Sequence, residues 1–335
     1  MILNGSDPQA IALAVAHLQA GELVGLPTET VYGLAANAED EAAVAQIFSA
    51  KGRPADHPLI VHVPNADSVH HFASEVPAFA QALMRAFWPG PLTLILPRRE
   101  GVAAAAAGGQ TSVGLRCPAH PVALALLQAC LAGSPQVRGL AAPSANQFGR
   151  VSPTTAAHVQ SEFGPGLLVL DGGACAVGIE STIIDCTRGV PVLLRPGAIT
   201  PQQVQAACGQ PVRHKDDLAA NAPAAPRASG TLASHYAPRA RVRLLEAAAL
   251  QAALQALPAT TAPVIALYAR STLAAPPTVH QQPMPEDAAA AAQELFAVLR
   301  DLDAQGVQEI WIETPPDSAA WDGVRDRLQR AATRV

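Results

Sequence analysis

An α/β fold in two domains is predicted by three features of the sequence. Apolar segments of strand length alternate with segments of helical periodicity, the 335 residues exceed the usual size of one domain, and a stretch rich in Ala, Pro and Asn lacks any hydrophobic period. Half of the residues are apolar and 15% are charged, so each part can bury a core. We expect domains at 1–210 and 240–335 with a linker at 211–239.

The first domain opens with a helix capped by Ser6-Asp7, with Pro8 in its first turn and Gly21 as its stop. Further helices are expected at 40–50, 65–73, 76–87, 120–131, from Ser152-Pro153-Thr154 onward, and at 200–208. Strands are expected at 22–26, 58–63, 92–96, 112–116, 139–142, 166–170, 181–185 and 190–195.

The second domain is predicted to be a small Rossmann-like α/β unit. Its expected strands are 241–245, 263–268 and 308–313, and its expected helices are 247–256, 286–304 and 318–332. It has no G-x-G-x-x-G sequence, so the topology alone does not imply a dinucleotide.

Composition narrows the class of protein. No apolar run reaches the roughly 18 to 20 residues of a membrane span, and the start MILNGSDPQA lacks a basic signal region, so we expect a cytoplasmic protein without a membrane partner. A net charge of -5 argues against non-specific nucleic-acid binding. The five cysteines form no C-x-x-C pair, and His57 and His62 have no metal-spaced partner, so no metal site is predicted.

Two short segments carry polar groups in unusual places. In GLPTETVYGLAANA (25–38) an apolar strand breaks at Pro27 into hydroxyls and a carboxylate, which fits a plain polar turn or the wall of a ligand pocket. Lys51, one of only two lysines, is followed by Gly52 and Arg53. On a non-helical segment Lys51 and Arg53 could both reach a triphosphate; alternatively they only complement a helix C-terminus.

Several predicted strands end in or are followed by small polar residues or a cation, at the place where open α/β sheets bind their ligands. These residues are Ser112, Arg116, Ser144, Asn146, Ser152, Ser181, Thr182 and Arg195. No Walker motif, G-x-S-x-G elbow or carboxylate pair accompanies them. Such a set suits a reaction in which one substrate's oxygen attacks another's phosphorus while the protein positions both and neutralises charge.

PTETVYGL, KGRPADHPL, RCPAHP, APSAN and GIESTIID, in this order over the first ~205 residues, resemble the YrdC-type domain of threonylcarbamoyl-AMP synthases. SGTLASHYAP followed by a small α/β domain is similar to the two-domain, Sua-type members. The resemblance implies a YrdC-like twisted mixed sheet with a concave binding face. It also implies that L-threonine, bicarbonate or CO2, and ATP give threonylcarbamoyl-AMP and pyrophosphate, for modification of tRNA next to the anticodon.

The resemblance also implies roles for individual residues. The residues implied for threonine are Thr30, His62, Arg116, Ala142 and Ser181. The residues implied for ATP are Lys51, Arg53, His57, Ser112, Ser144, Ser152, Arg195 and Tyr236, with Lys51 and Arg53 as the catalytic pair. Arg116 is expected on the threonine carboxylate or, alternatively, on the nucleotide. Mg2+ is expected with ATP, and the linker is hypothesised to act as a lid.

Two other functions compete with this interpretation. A carbamoyl-adenylate-forming enzyme uses a related domain, but such proteins carry zinc-binding cysteine clusters and an acylphosphatase module that this sequence lacks. An RNA-binding module on the same fold is the second, against which the acidic balance argues. The expected downstream partner is the machinery that transfers threonylcarbamoyl to tRNA, and weak RNA binding stays open.

Overall fold

A computed structural model describes residues 1–214, 225–231, 235–257 and 265–333. Its contacts divide the chain into two compact units, the first from Met1–Phe148 and Ser152–Thr231, the second from Gly149–Val151 and Leu232–Val335. Within the expected linker, residues 215–224 and 232–234 lie outside the described residues, as do the first two residues of the strand expected at 263–268.

The first unit is built on an 11-stranded mixed sheet, which confirms the predicted fold class. Its strands are β1 (Ile2–Asn4), β2 (Val24–Leu26), β3 (Gly33–Asn37), β4 (Ile60–His62), β5 (Leu92–Pro97), β6 (Ser112–Arg116), β7 (Leu140–Ala141), β8 (Leu168–Asp171), β9 (Thr182–Asp185), β10 (Val192–Arg195) and β11 (Arg213–His214). Their order in the sheet is β1-β8-β2-β3-β7-β4-β6-β5-β9-β10-β11. The sheet is mixed, with parallel pairs such as β4 with β6 and antiparallel pairs such as β5 with β6.

The helices of the first unit are α1 (Pro8–Gln19), α2 (Glu41–Lys51), α3 (Val69–Phe72), α4 (Ala78–Phe87), α5 (Pro121–Ala132), α6 (Ala156–Phe163) and α7 (Pro201–Cys208). Five of them begin at a side chain that accepts a hydrogen bond from a backbone amide, namely α1, α2, α5, α6 and α7. Asp7 caps α1 as predicted, accepting from the amide of Gln9. The start expected at Ser152-Pro153-Thr154 is wrong: α6 begins at Ala156, because the hydroxyl of Thr155 accepts from the amide of His158.

Side chains along the central strands alternate between two faces of the sheet. On β6, Val113 and Leu115 join the large apolar core that includes residues of α2 and α4. The intervening positions Ser112, Gly114 and Arg116 therefore lie on the opposite face. Part of that second face is covered by α1 and α5, through the core that contains Ala14 and Leu126.

Toward β9 and β10 the same second face is covered by a different segment. Ile95, Ile183, Val192 and Leu194 form a small apolar cluster, and Ala225 and Ala228 of segment 225–231 pack against it. Between this cluster and the α1–α5 layer, His62 of β4, Thr93 of β5 and Arg116 of β6 share one face, because His62 is paired with Arg116 and Ile95 with Gly114. We call this polar stretch of the sheet the site face.

The second unit is a parallel four-stranded sheet, as the Rossmann-like prediction expects. Its strands are β12 (Arg241–Leu245), β13 (Ile265–Ala269), β14 (His280–Pro283) and β15 (Glu309–Glu313), in the order β12-β15-β13-β14. Its helices are α8 (Ala247–Gln255), α9 (Ala288–Ala304) and α10 (Asp322–Ala332). A 3-10 turn at Ala319–Trp321 directly precedes α10. Within the described ranges, no helix has the length and apolar character needed to cross a bilayer.

Candidate active site

The PTET loop is held rigidly by its own hydroxyl groups. The Thr28 hydroxyl donates to the carbonyl of Val31 at 2.6 Å and accepts from the amides of Thr30 and Val31 at 3.2 Å. The amide of Val177 donates to the carbonyl of Glu29 at 2.7 Å, which ties the loop to a neighbouring segment. The loop is thus a fixed wall whose side chains are buried.

Arg116, the last residue of β6, is the centre of a buried polar cluster. Its Nη1 donates to the Thr30 hydroxyl at 2.8 Å, and its Nε donates to the carbonyl of Gly90 at 3.3 Å. Its Nη2 lies 2.6 Å from Oε1 of Glu29, an ion pair between side chains that are 4% and 10% exposed. Thr30 and Arg116, two residues predicted for the threonine pocket, are therefore in direct contact.

His62 stands beside Arg116 on the neighbouring strand and is almost fully buried. Burial, with the nearby Arg116 guanidinium as the second cause, lowers the pKa of His62 to about 3. The imidazole is therefore neutral at physiological pH and acts as a hydrogen-bonding group rather than a cation. Ala142, also predicted for this pocket, is buried directly after β7. Its amide donates to the carbonyl of Ile60 at 3.0 Å.

Lys51 is the last residue of α2, which ends because Gly52 has the left-handed φ of +61°. The expectation that Lys51 lies on a non-helical segment is therefore wrong. Its Nζ donates to the carbonyl oxygens of Ser144, at 2.6 Å, and of Asn146. Burial, and then repulsion by Arg53, lowers the pKa of this ammonium well below its usual value. Lys51 and Ser144, both predicted for ATP, are thus joined.

Arg53 donates hydrogen bonds to different residues from those that Lys51 contacts. Its Nη2 donates to the carbonyl of Pro58 at 3.0 Å and to the hydroxyl of Ser229 at 3.2 Å. The guanidinium lies 5.8 Å from the centroid of the Phe148 ring, which His57 meets edge-on at 5.6 Å. Partial burial and the Arg53 charge lower the pKa of His57. Arg53 and His57 therefore flank one aromatic ring.

Arg195 and Ser181 form the opposite side of the site face. Arg195 donates from Nε to the Ser181 carbonyl at 3.1 Å, from Nη2 to the Ser181 hydroxyl at 3.2 Å, and from Nη1 to the Ser229 carbonyl at 2.8 Å. The Ser181 hydroxyl is also 2.7 Å from that of Thr93 on β5. The predicted threonine residue Ser181 and the predicted ATP residue Arg195 are thus in contact.

Segment 225–231 borders a half-open pocket on the site face. The walls of this small pocket include Ile60, Thr93, Gly114, Arg227 and Ser229. Arg227 holds the segment by two contacts. Its guanidinium forms an ion pair with Asp56 at 2.5 Å, and its carbonyl accepts a hydrogen bond from the side-chain amide of Gln110 at 3.2 Å. Apolar strand positions and hydroxyl groups thus meet in one concavity, as in small-molecule sites.

Three further residues were predicted for ATP, namely Ser112, Ser152 and Tyr236. Ser152 donates its hydroxyl to Oε1 of the buried Glu180 at 2.5 Å. Ser112 is buried at the start of β6, opposite Pro97. Tyr236 belongs to the second unit, where its fully buried ring stacks on Phe296 at 5.4 Å.

Three residues of the site were missed by the sequence analysis. Thr93 was hidden in the apolar strand LTLIL, although its polar side chain among alternating leucines was the available signal. Glu180 stands in GIEST, and Phe148 follows the APSAN motif. Among the described residues, no group of three or more His, Cys, Asp or Glu side chains could hold a metal ion.

Buried arginines, a lysine and hydroxyl groups are the side chains that bind small anionic ligands in proteins. Comparison with known proteins makes this specific. The family model described as Telomere recombination, which covers the Sua5, YciO and YrdC proteins, matches residues 16–197. The model for the C-terminal domain of threonylcarbamoyl-AMP synthase matches residues 199–333. The chain belongs to the Sua5/YciO/YrdC family, as a two-domain member of the Sua5 type.

Named relatives match both units. Threonylcarbamoyl-AMP synthase of Bacillus subtilis is 37% identical over 336 residues, covering 98% of this chain and 94% of the relative. The synthase of Pyrococcus abyssi is 44% identical over 237 residues, covering 70% and 68%. The crystal structure of P. abyssi Sua5 complexed with L-threonine has a TM-score of 0.87 at 34% identity, covering 99% of this chain and 97% of that one.

Proposed function

We propose that this protein is a threonylcarbamoyl-AMP synthase, which condenses L-threonine, bicarbonate or CO2, and ATP into threonylcarbamoyl-AMP and pyrophosphate. The observation that carries the proposal is the similarity along almost the whole chain to a synthase of that name, 37% identical over 98% of this sequence. The relative with a TM-score of 0.87 was crystallised with L-threonine. The product would serve tRNA modification through a separate transfer enzyme, in the cytoplasm.

The proposed reaction needs no nucleophile from the protein. The threonine amine forms a carbamate, and a carbamate oxygen attacks the α-phosphorus of ATP. The bond from that phosphorus to the bridging oxygen breaks, and pyrophosphate leaves. What the protein must supply is position and positive charge. Arg227 lies in the wall of the pocket on the site face, and Arg53 and Arg195 adjoin that wall, since both donate to Ser229 in it.

We assign Thr30, His62, Arg116, Ala142 and Ser181 to threonine, as the resemblance implies. Arg116 offers a planar fork that suits the carboxylate, and the neutral His62 can hydrogen-bond without adding charge. The residues assigned to ATP are Lys51, Arg53, His57, Ser112, Ser144, Ser152, Arg195 and Tyr236.

Lys51 acts in this proposal first by fixing the loop of Ser144 and Asn146, because its ammonium donates to both carbonyls. A lysine ammonium has three donors, so one remains for a phosphate oxygen. Mg2+ is proposed as a companion of the triphosphate, since it is held mainly by phosphate oxygens and water.

Pyrophosphate release from ATP tests the assignment, with L-threonine and bicarbonate each added or withheld. Wild type should release pyrophosphate only with both co-substrates, and Arg53→Ala should reduce release strongly, while the exposed Arg138→Ala serves as the control. ATP that is untouched, or consumed regardless of threonine, would overturn the proposal. A salt-sensitive shift of RNA without ATP turnover would favour the RNA-binding alternative.

A further inference from the structure

Glu29 is a buried carboxylate to which the assignments above give no role. Its loop is fixed, because the Val177 amide holds the Glu29 carbonyl and the Thr28 hydroxyl braces the following turn. The side chain is 10% exposed and points to Arg116, with 2.6 Å between Oε1 and Nη2. It therefore lies in the same polar cluster as Thr30 and Arg116.

The second carboxylate oxygen of Glu29 is the unusual feature. Oε2 is buried and has no hydrogen-bond partner in the part of the chain that the structure describes. A buried carboxylate normally has both oxygens satisfied, because desolvation without a donor is costly. A buried acceptor without a donor, next to a predicted substrate pocket, indicates that the substrate itself supplies the donor.

Charge balance identifies that donor. If Arg116 turns to a substrate carboxylate, Glu29 loses the cation that now neutralises it, and an unpaired buried charge is strongly unfavourable. A free amino acid carries both charges, so it can take the place of the internal pair without changing the net charge of the cluster. Its carboxylate pairs with Arg116, and its α-ammonium pairs with Glu29.

We infer that Glu29 binds the α-ammonium group of the amino-acid substrate and accepts the proton that this group must lose before it can react. The inference rests on the proposed function, which it deepens. A proton passes from the ammonium to Oε2 of Glu29 and leaves a neutral amine. The nitrogen lone pair then forms the N–C bond to bicarbonate. The C–OH bond breaks, and hydroxide leaves as water with an amine proton.

The other ionisable groups around Glu29 keep a constant charge over the pH range that matters. His62 stays neutral because burial, and then the Arg116 charge, lowers its pKa to about 3. Burial, then the Glu29 charge, raises the pKa of Cys117 to about 11 and of Cys175 to about 12. Between pH 6.5 and 9, a change of kcat/KM with pH can therefore be assigned to the proton of the substrate ammonium that passes to Glu29.

The test compares wild type with Glu29→Gln, which keeps the shape and removes the charge, and with Glu29→Asp, which keeps the charge. The exposed Glu100→Gln is the matched control. Calorimetric titration with L-threonine in the absence of ATP should show at least about tenfold weaker binding to Glu29→Gln. Glu100→Gln should bind as wild type does.

The pH profile separates a chemical role from a structural one. Wild type should give a flat profile of kcat/KM for threonine from pH 7 to 9, because the zwitterion binds and is deprotonated within the site. Glu29→Gln must take the rare free amine, so its kcat/KM should rise about tenfold per pH unit. Glu29→Asp should restore the flat profile at weaker affinity, and it serves alone if Glu29→Gln does not fold.

Two results would overturn the inference. The first is a Glu29→Gln protein with wild-type threonine affinity and a flat profile. The second is a variant that loses threonine and ATP binding equally and keeps a flat profile, which would mark Glu29 as a structural partner of Arg116. A wild type that neither binds threonine nor releases pyrophosphate would instead overturn the proposed function, and the Glu29 role with it.

Discussion

The Nη1 of Arg195 donates a 2.8 Å hydrogen bond to the carbonyl oxygen of Ser229, the residue whose hydroxyl accepts from Nη2 of Arg53 at 3.2 Å. Two cations assigned to ATP are thus bonded to oxygen atoms of a single residue in segment 225–231. Phosphate oxygens are the same kind of acceptor, and they carry more charge. A triphosphate that uses both arginines must compete with Ser229.

The first prediction is that nucleotide binding loosens segment 225–231. Hydrogen exchange followed by mass spectrometry, with and without a non-hydrolysable ATP analogue, should show faster exchange of the Arg227 amide, which now donates to Gln110 at 2.8 Å. Peptides covering β5 should not change. Equal or slower exchange at Arg227 would mean that nucleotide and segment bind together.

Removing the Ser229 hydroxyl should favour the nucleotide. Ser229→Ala deletes one acceptor of Arg53, and a net hydrogen bond is worth about 0.5–1.5 kcal/mol, so the Kd for ATP should fall by about two- to tenfold. The exposed Ser6→Ala is the control, since the Ser6 side chain lies far along the chain in the turn before α1. A weaker ATP affinity in Ser229→Ala would show that the hydroxyl helps the arginine instead.

The sequence predicted the helices and strands that have a clear hydrophobic period, and it predicted helix ends that depend on a nearby residue. The helix expected at 40–50 ends at Lys51, because Gly52 after it has a left-handed φ. The strand β3 was missed because GLAAN has no β-branched residue and follows a polar run. Its position is set by antiparallel pairing to β2, which only the folded chain provides.

The sequence predicted many residues of the site but not which of them contact each other. Thr30 and Arg116 were both found from the sequence, but they are 86 residues apart and their contact depends on the register of the sheet. The ion pair of Glu29 with Arg116 arises in the same way. Tertiary contacts of this kind carry no local signal, so the sequence showed the residue types and not the partners.

The third prediction concerns acid stability. His62 has a pKa of about 3 in the folded protein, against about 6.5 in an unfolded chain. The unfolded chain therefore binds more protons between these values, so this contribution to stability is lost as the pH falls below 6.5, by roughly 1.4 kcal/mol per pH unit.

Urea unfolding from pH 7 to 4 measures this effect. The free energy of unfolding should fall less steeply with acid in His62→Asn than in wild type. The exposed His70→Asn should keep the wild-type slope. Parallel slopes for wild type and His62→Asn would show that the imidazole is not held neutral by the fold.

The fourth prediction is that Gly197 cannot carry a side chain. A Cβ there would lie 2.6 Å from the Thr182 amide nitrogen and 2.8 Å from the Glu180 carbonyl, both in the backbone that presents Ser181. Because these atoms cannot rotate away, Gly197→Ala should cost about 1–3 kcal/mol of unfolding free energy. It should also raise the KM for threonine through the displaced Ser181.

Gly166→Ala is the matched control for Gly197→Ala, since nothing lies within 4 Å of its added Cβ. Thermal unfolding of both variants and a threonine titration of pyrophosphate release give the two readouts. A Gly197→Ala protein as stable as Gly166→Ala would show that the loop at 180–182 has room to move.

The last prediction is the order in which amino acids are used. One methyl group distinguishes threonine from serine and supplies only about 1–3 kcal/mol, so kcat/KM should favour threonine by about 10- to 200-fold, with some use of serine. L-2-aminobutyrate keeps the methyl and lacks the hydroxyl. It should be rejected more strongly than serine, because the buried hydroxyls of Thr30 and Ser181 would lose a partner. Mass spectrometry of the adenylate formed from equal mixtures measures the order, and equal use of threonine and serine would contradict the placing of the pocket.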